Sequence, residues 1–171
     1  MTEDIDVNDA IGMAIRMEQE GHAFYTRAAA RTSSDTGRRI FEALADDEMV
    51  HLETFRRMFD GKVTREEWDR LSERTRSREG GQVFPTDVRP EGVEADTDDL
   101  SALRIGMESE QRAIDHYTAL RDRVDDGAVA AILDEIIAQE RSHYVLLEEE
   151  FTHLSNTGFW HDPDYLGERA F

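Results

Sequence analysis

The sequence predicts an all-α fold: an antiparallel four-helix bundle made of two repeated helical hairpins with one long crossover. Three observations predict it. Four segments carry apolar residues at the helical period, and no segment reads as a convincing strand. A shift of 92 residues lays the second half of the chain on the first without a gap, carrying Glu18 to Glu110, Tyr25 to Tyr117, Ile40 to Ile132, Glu48 to Glu140 and His51 to His143. The turns inside each half are short, whereas 38 residues, 61–98, separate the halves. Short turns make antiparallel neighbours, and a long connection suits a crossover along a bundle.

Each element has its own reason. The first helix, about 8–31, shows the stripe Ile11, Ala14, Ile15, Glu18, Gly21, Tyr25, Ala28. The polar turn RTSSDTG leads into the second, about 35–59, with Ile40, Leu44, Glu48, His51, Phe55 and Met58 on one face and Asp60-Gly61 as a stop. The crossover, 61–98, holds a short helix at about 64–74, where Thr64 and Glu67 make a capping box. The remainder of the crossover is rich in Gly and Pro and reads as extended. The third helix, about 99–124, carries Leu103, Met107, Glu110, Ala113, Ile114, Tyr117 and Leu120. The fourth, about 127–154, carries Val129, Ile132, Ile136, Glu140, His143, Leu147 and Phe151. The tail, 155–171, contains Phe159, Trp160, Tyr165 and Phe171 and is expected to pack on the bundle or on a partner subunit.

Composition bounds the function. A length of 171 residues favours one domain, 1–171, with enough chain for a core. The absence of cysteine excludes disulfides, thiol nucleophiles and cysteine-ligated metal centres, so a metal must be held by Glu, Asp and His. The 39 Asp and Glu against 20 Lys and Arg give a formal charge of −19, which repels nucleic acid and anionic membranes. No apolar run approaches the roughly 20 residues of a membrane span, and the acidic N-terminus lacks a signal pattern. A cytoplasmic protein is expected. Lys62 is the single lysine beside 19 arginines, a bias shared with proteins of salt-accumulating halophiles. The basic island Arg74, Arg76, Arg78 is expected to pair with the chain's own carboxylates.

The polar residues preserved by the repeat lie inside the apolar stripes. Glu18 is seven residues after Ile11 and seven before Tyr25, and Glu110 sits likewise between Leu103 and Tyr117. Glu48 and His51 are bracketed by Leu44 and Phe55, and Glu140 and His143 by Ile136 and Leu147. Four Glu and two His therefore point into the bundle. A single uncompensated buried ion costs several kcal/mol, and no Arg occupies these stripes. Two divalent cations would balance four carboxylates. One Glu from each of two helices plus a Glu-x-x-His from each of the other two is the donor pattern of a di-iron or di-manganese site in a bundle core. A duplicated bundle that holds zinc, one metal or none is the alternative. Tyr25 and Tyr117 could orient the carboxylates or be ordinary core tyrosines. His22 is placed at the surface, and Glu20 and Glu108 face solvent. His116, His153 and His161 have no metal partner set.

At these residues the chain resembles the ferritin-like superfamily, and within it the stand-alone rubrerythrin-like domains. The matching stretches are MEQEGHAFY, LADDEMVHLETF, MESEQRAIDHY, IIAQERSHYVLLEEEF and the tail NTGFW, over roughly residues 8–162. The resemblance implies Glu18, Glu48, His51, Glu110, Glu140 and His143 as ligands of two iron ions, with manganese or zinc as alternatives. It implies Tyr25 and Tyr117 as hydrogen-bond partners of the ligand carboxylates. It also implies reduction of peroxide or O₂ and an external electron donor, because a chain without cysteine carries no rubredoxin module. A homodimer is expected on a separate ground, since the long crossover and the aromatic tail would obstruct the packing of a storage cage. Ala113 stands where rubrerythrins carry an additional Glu, which leaves six ligands, as in the ferroxidase centre of bacterioferritin. Iron storage with ferroxidase activity is therefore an alternative, as is a metal-stabilised module without turnover. Met49 occupies the place of bacterioferritin's haem ligand, but no haem is expected.

Overall fold

In a computed structural model, residues 7–58, 70 and 95–162 are described, and they form four helices: α1 (Val7–Arg31), α2 (Asp35–Met58), α3 (Ala95–Arg121) and α4 (Gly127–Thr157). Most of the crossover, with its expected short helix and the arginines at 74, 76 and 78, lies outside the described residues; so do Tyr165 and Phe171. Arg70 is helical and exposed. Among the described residues there is no strand, and no helix is long and apolar enough to cross a membrane.

The hairpin turns close by local capping. Thr32 N–H donates to the Ala28 carbonyl at the end of α1 (3.0 Å). Ser34 precedes α2, and its hydroxyl accepts from Gly37 N–H (3.1 Å), which satisfies a backbone donor the helix itself cannot. Asp126 does the same for α4, accepting from Ala128 N–H (2.9 Å) and Val129 N–H (3.3 Å).

Three helix ends differ from the sequence expectation. α3 stops at Arg121, short of 124, because the chain tightens there: Arg123 N–H and Val124 N–H donate to the carbonyls of Leu120 and Arg121, three residues back. α3 begins at Ala95, ahead of Asp99. Asp99 reads as a helix-starting residue, but its carboxylate is used elsewhere, accepting from Thr32 Oγ1 and Trp160 Nε1, both at 2.9 Å. α4 continues to Thr157 and ends at Gly158, whose φ of 78° is a left-handed cap that lacks the Cβ penalty.

Each hairpin packs most extensively within itself; between hairpins α1 meets α3 more closely than α2 meets α4. The core is filled from all four helices by Phe24, Phe41, Phe55, Leu44, Leu103, Leu133 and Leu147, all essentially inaccessible to solvent. The described part of the tail packs back on the bundle through Trp160, whose ring meets Phe41 edge-on at 5.7 Å, while Phe159 stays exposed. This bundle presents the striped faces of all four helices to one axis.

Candidate metal centre

The structure brings all six residues singled out by the repeat to one place. Glu18 comes from α1, Glu48 and His51 from α2, Glu110 from α3, and Glu140 and His143 from α4; none is more than 4% exposed. The spacing of three in Glu48/His51 and Glu140/His143 puts carboxylate and imidazole on one helix face. The donor atoms fall into two groups that could hold a metal ion, each within 4.8 Å: Glu18, Glu48, His51, Glu140, and Glu48, Glu110, Glu140, His143. Glu48 and Glu140 belong to both.

The imidazoles are oriented from outside. His51 Nε2 bonds Gln139 Oε1 at 2.7 Å, which makes Nε2 the protonated nitrogen and turns Nδ1 toward the cluster. His51 Nδ1 lies 3.3 Å from both Glu18 Oε2 and Glu140 Oε1, without hydrogen-bond geometry to either. His143 Nε2 lies 3.2 Å from Asp47 Oδ2, and its Nδ1 lies 3.0 Å from Glu140 Oε2. The two rings stack at 5.7 Å. Asp47 and Gln139 each precede the Glu of a Glu-x-x-His, and each holds the histidine of the opposite hairpin. Sequence reasoning missed both, although the same 92-residue shift relates them.

The tyrosines cross between hairpins as well. Tyr25 of α1 donates to Glu110 Oε1 of α3, and Tyr117 of α3 donates to Glu18 Oε1 of α1. Burial, and then the nearby carboxylates, push both phenols well above their usual range, so both stay protonated donors. Gly21 is a further residue the sequence reading did not assign a role: a Cβ there would lie 2.9 Å from the Glu48 carboxyl carbon.

The charges of the cluster are strongly perturbed. Burial, then neighbouring carboxylates, raise Glu48 and Glu110 well above the ordinary carboxylate range. Burial opposes charge on the imidazoles, but the carboxylates outweigh it. Glu140 and Glu18 push His51 up to about 12, and Asp47 and Glu140 push His143 up to about 10. Burial would raise Glu140, yet His143 and His51 hold it below the usual range. Among the residues of the two groups, four buried atoms still lack a hydrogen-bond partner: Glu18 Oε2, Glu48 Oε1, Glu110 Oε2 and His51 Nδ1. All four belong to the two groups and become lone-pair donors once their protons are displaced. Unpaired carboxylate oxygens at this depth are costly, and a divalent cation is the partner that fits an all-Glu/His set.

The other singled-out residues fall outside the cluster. His22 is half-buried rather than exposed, because its Nδ1 donates to the Ala45 carbonyl at 2.9 Å and ties α1 to α2. Glu20 is also only 19% exposed, as Arg16 covers it at 2.7 Å, whereas Glu108 is exposed. His116 meets Tyr117 edge-on. His153 and His161 stack on each other, and His161 Nδ1 lies 3.1 Å from the buried Glu150, a pairing the sequence reading did not foresee. Met49 is 43% exposed.

Comparison with known proteins bears on the fold and the family. A hypothetical protein from Pyrococcus furiosus has the same fold, with a TM-score of 0.68 and 22% identity over 91% of this chain and 94% of that one. No curated protein matches. The family model described as Rubrerythrin matches residues 9–151, most of the bundle and every residue of the two groups. With the match spanning most of its length, the chain belongs to the rubrerythrin family within the ferritin-like superfamily.

Proposed function

We propose that this protein is a di-iron oxidoreductase that reduces peroxide or O₂. The observation that carries the reading is the pair of four-residue groups sharing Glu48 and Glu140 in the core of a rubrerythrin-family bundle. Glu18 and His51 would hold one iron, Glu110 and His143 the other, and Glu48 and Glu140 would be shared. Held there, two ferrous ions would supply Lewis acidity and the two electrons needed to take H₂O₂ and two protons to two waters. The chain's own residues do the rest. Tyr25 and Tyr117 orient Glu110 and Glu18 and remain protonated beside them. Gln139 and Asp47 fix the two imidazoles with Nδ1 inward. Leu44, Phe55, Leu103, Ile136 and Leu147 lie on the same helix stripes as the six residues and are buried, which would keep bulk water from the centre. Re-reduction requires an external electron donor, since the chain has no cysteine for an iron–sulfur centre of its own.

Ala113, buried where an additional Glu would stand, favours a second reading: a ferroxidase centre of an iron-storage protein, acting on O₂. One experiment decides between them. The Fe(II)-loaded protein is mixed with H₂O₂ and with O₂ by stopped flow. A peroxide reaction at least ~10-fold faster than the O₂ reaction supports the peroxidase, and the reverse supports the ferroxidase. Oxidation no faster than in an E48A/E140A variant would sink both. The long crossover and the aromatic tail would obstruct the packing of a storage cage and so favour a homodimer, and size-exclusion chromatography distinguishes the two.

A further inference from the structure

The repeat is faithful at every candidate ligand and at both tyrosines, but it breaks at the residues that hold the histidines from outside. His143 Nε2 faces the carboxylate of Asp47, and His51 Nε2 faces the neutral amide of Gln139. An N–H donated to a carboxylate leaves the imidazole a stronger electron donor than one donated to an amide, and such outer partners commonly change metal affinity by about 10–100-fold. A second break falls in the same site. Gly21 leaves space against α1 that the Glu48 carboxylate fills, whereas the matched Ala113 on α3 keeps its Cβ. The two halves of the centre are therefore chemically different even though their donors are the same.

We infer that the two metal positions are unequal: the one at His143, backed by Asp47, fills first and binds more tightly, and the one at His51, backed by Gln139, is the exchangeable position. This rests on the dinuclear reading above. Asp47 and Gln139 act here as positioning residues, setting the donor strength of a histidine without touching the metal. The consequence is a centre that can keep one ion while the other leaves and returns.

The test is a titration of the metal-free protein with Co(II), followed by calorimetry and by the visible absorption of bound cobalt. Two steps are expected, separated by about 10-fold or more in affinity. D47N is expected to weaken the tight step by about 10-fold and leave the weak step nearly unchanged. Q139E is expected to strengthen the weak step and narrow the gap. Both side chains lie at the α2/α4 seam, partly open to solvent, so both variants should fold, which circular dichroism checks. Crystals grown with one Co(II) per chain should show the anomalous peak beside His143. Two equal steps, a peak beside His51, or a D47N effect shared equally by both steps overturns the inference while leaving a dinuclear centre standing. Binding of fewer than two ions overturns the dinuclear reading itself, and this inference with it.

Discussion

At Gly21 a single hydrogen stands where a methyl group would meet the Glu48 carboxyl carbon at 2.9 Å. Alanine there removes a helix-interior glycine, worth roughly 0.5–1 kcal/mol of stability. It also forces the Glu48 carboxylate aside by a few tenths of an ångström. G21A is therefore expected to leave the metal-free protein at least as stable in thermal melts, while its Co(II) affinity falls by about 10-fold. A drop in both would mean that Gly21 serves packing and not the cluster.

The same residues set a pH dependence. Without metal, the folded chain holds protons on Glu48, Glu110, His51 and His143 that the unfolded chain releases, because all four sit above their ordinary values. Groups raised on folding stabilise in full below their unfolded values, and that contribution is lost as pH rises towards the folded ones. Glu140 has the opposite sign and matters only in acid. In the presence of chelator, the melting temperature should fall between about pH 6.5 and pH 9, from the histidines and raised carboxylates together. Metal must displace these protons, so loading should release them into weak buffer, readable with an indicator dye, and affinity should rise with pH. Melting temperatures that climb across that range would contradict the perturbed charges.

At the scale of elements, the tail acts as a clip. Trp160 donates to Asp99 of α3, packs edge-on against Phe41 of α2, and lies 2.7 Å from where a Gly37 Cβ would be. Phe41 in turn stacks on Tyr25, the partner of Glu110. W160A removes a half-buried ring and leaves Asp99 with one donor fewer, at an expected cost of about 2 kcal/mol. G37A should mimic it in part, by displacing the ring. Both variants should still bind two metals, because the six donors are untouched; calorimetric stoichiometry together with melts checks this. The element ends also show where sequence reading thins out. α3 and α4 run four residues earlier and three later than periodicity implied, because Asp99 spends its side chain on the tail and Gly158 supplies the stop.

For the whole molecule, a formal charge of −19 is the governing quantity. Its self-repulsion opposes the compact state at low ionic strength, and at about 1 M salt the screening length falls to roughly 3 Å. The melting temperature is expected to rise by several degrees as KCl increases from about 0.1 M to 2 M. A flat or falling curve would remove the case for a halophilic protein.

Much of this protein was legible in one dimension. Helical period and the 92-residue repeat specify four helices, their pairing into hairpins, and the six inward Glu and His, because a polar residue repeated inside an apolar stripe marks its burial. Tertiary structure decided what crosses between the hairpins. It paired Tyr25 with Glu110 and Tyr117 with Glu18, set Asp47 on His143 and Gln139 on His51, and seated Trp160 on Gly37. Asp47 and Gln139 lie at the edge of their stripes, where a polar residue reads as solvated surface. Only the approach of α2 and α4 turns them toward an imidazole. The physical reason is that periodicity fixes which face of a helix is buried, while the partner of each buried group is chosen by how the hairpins dock.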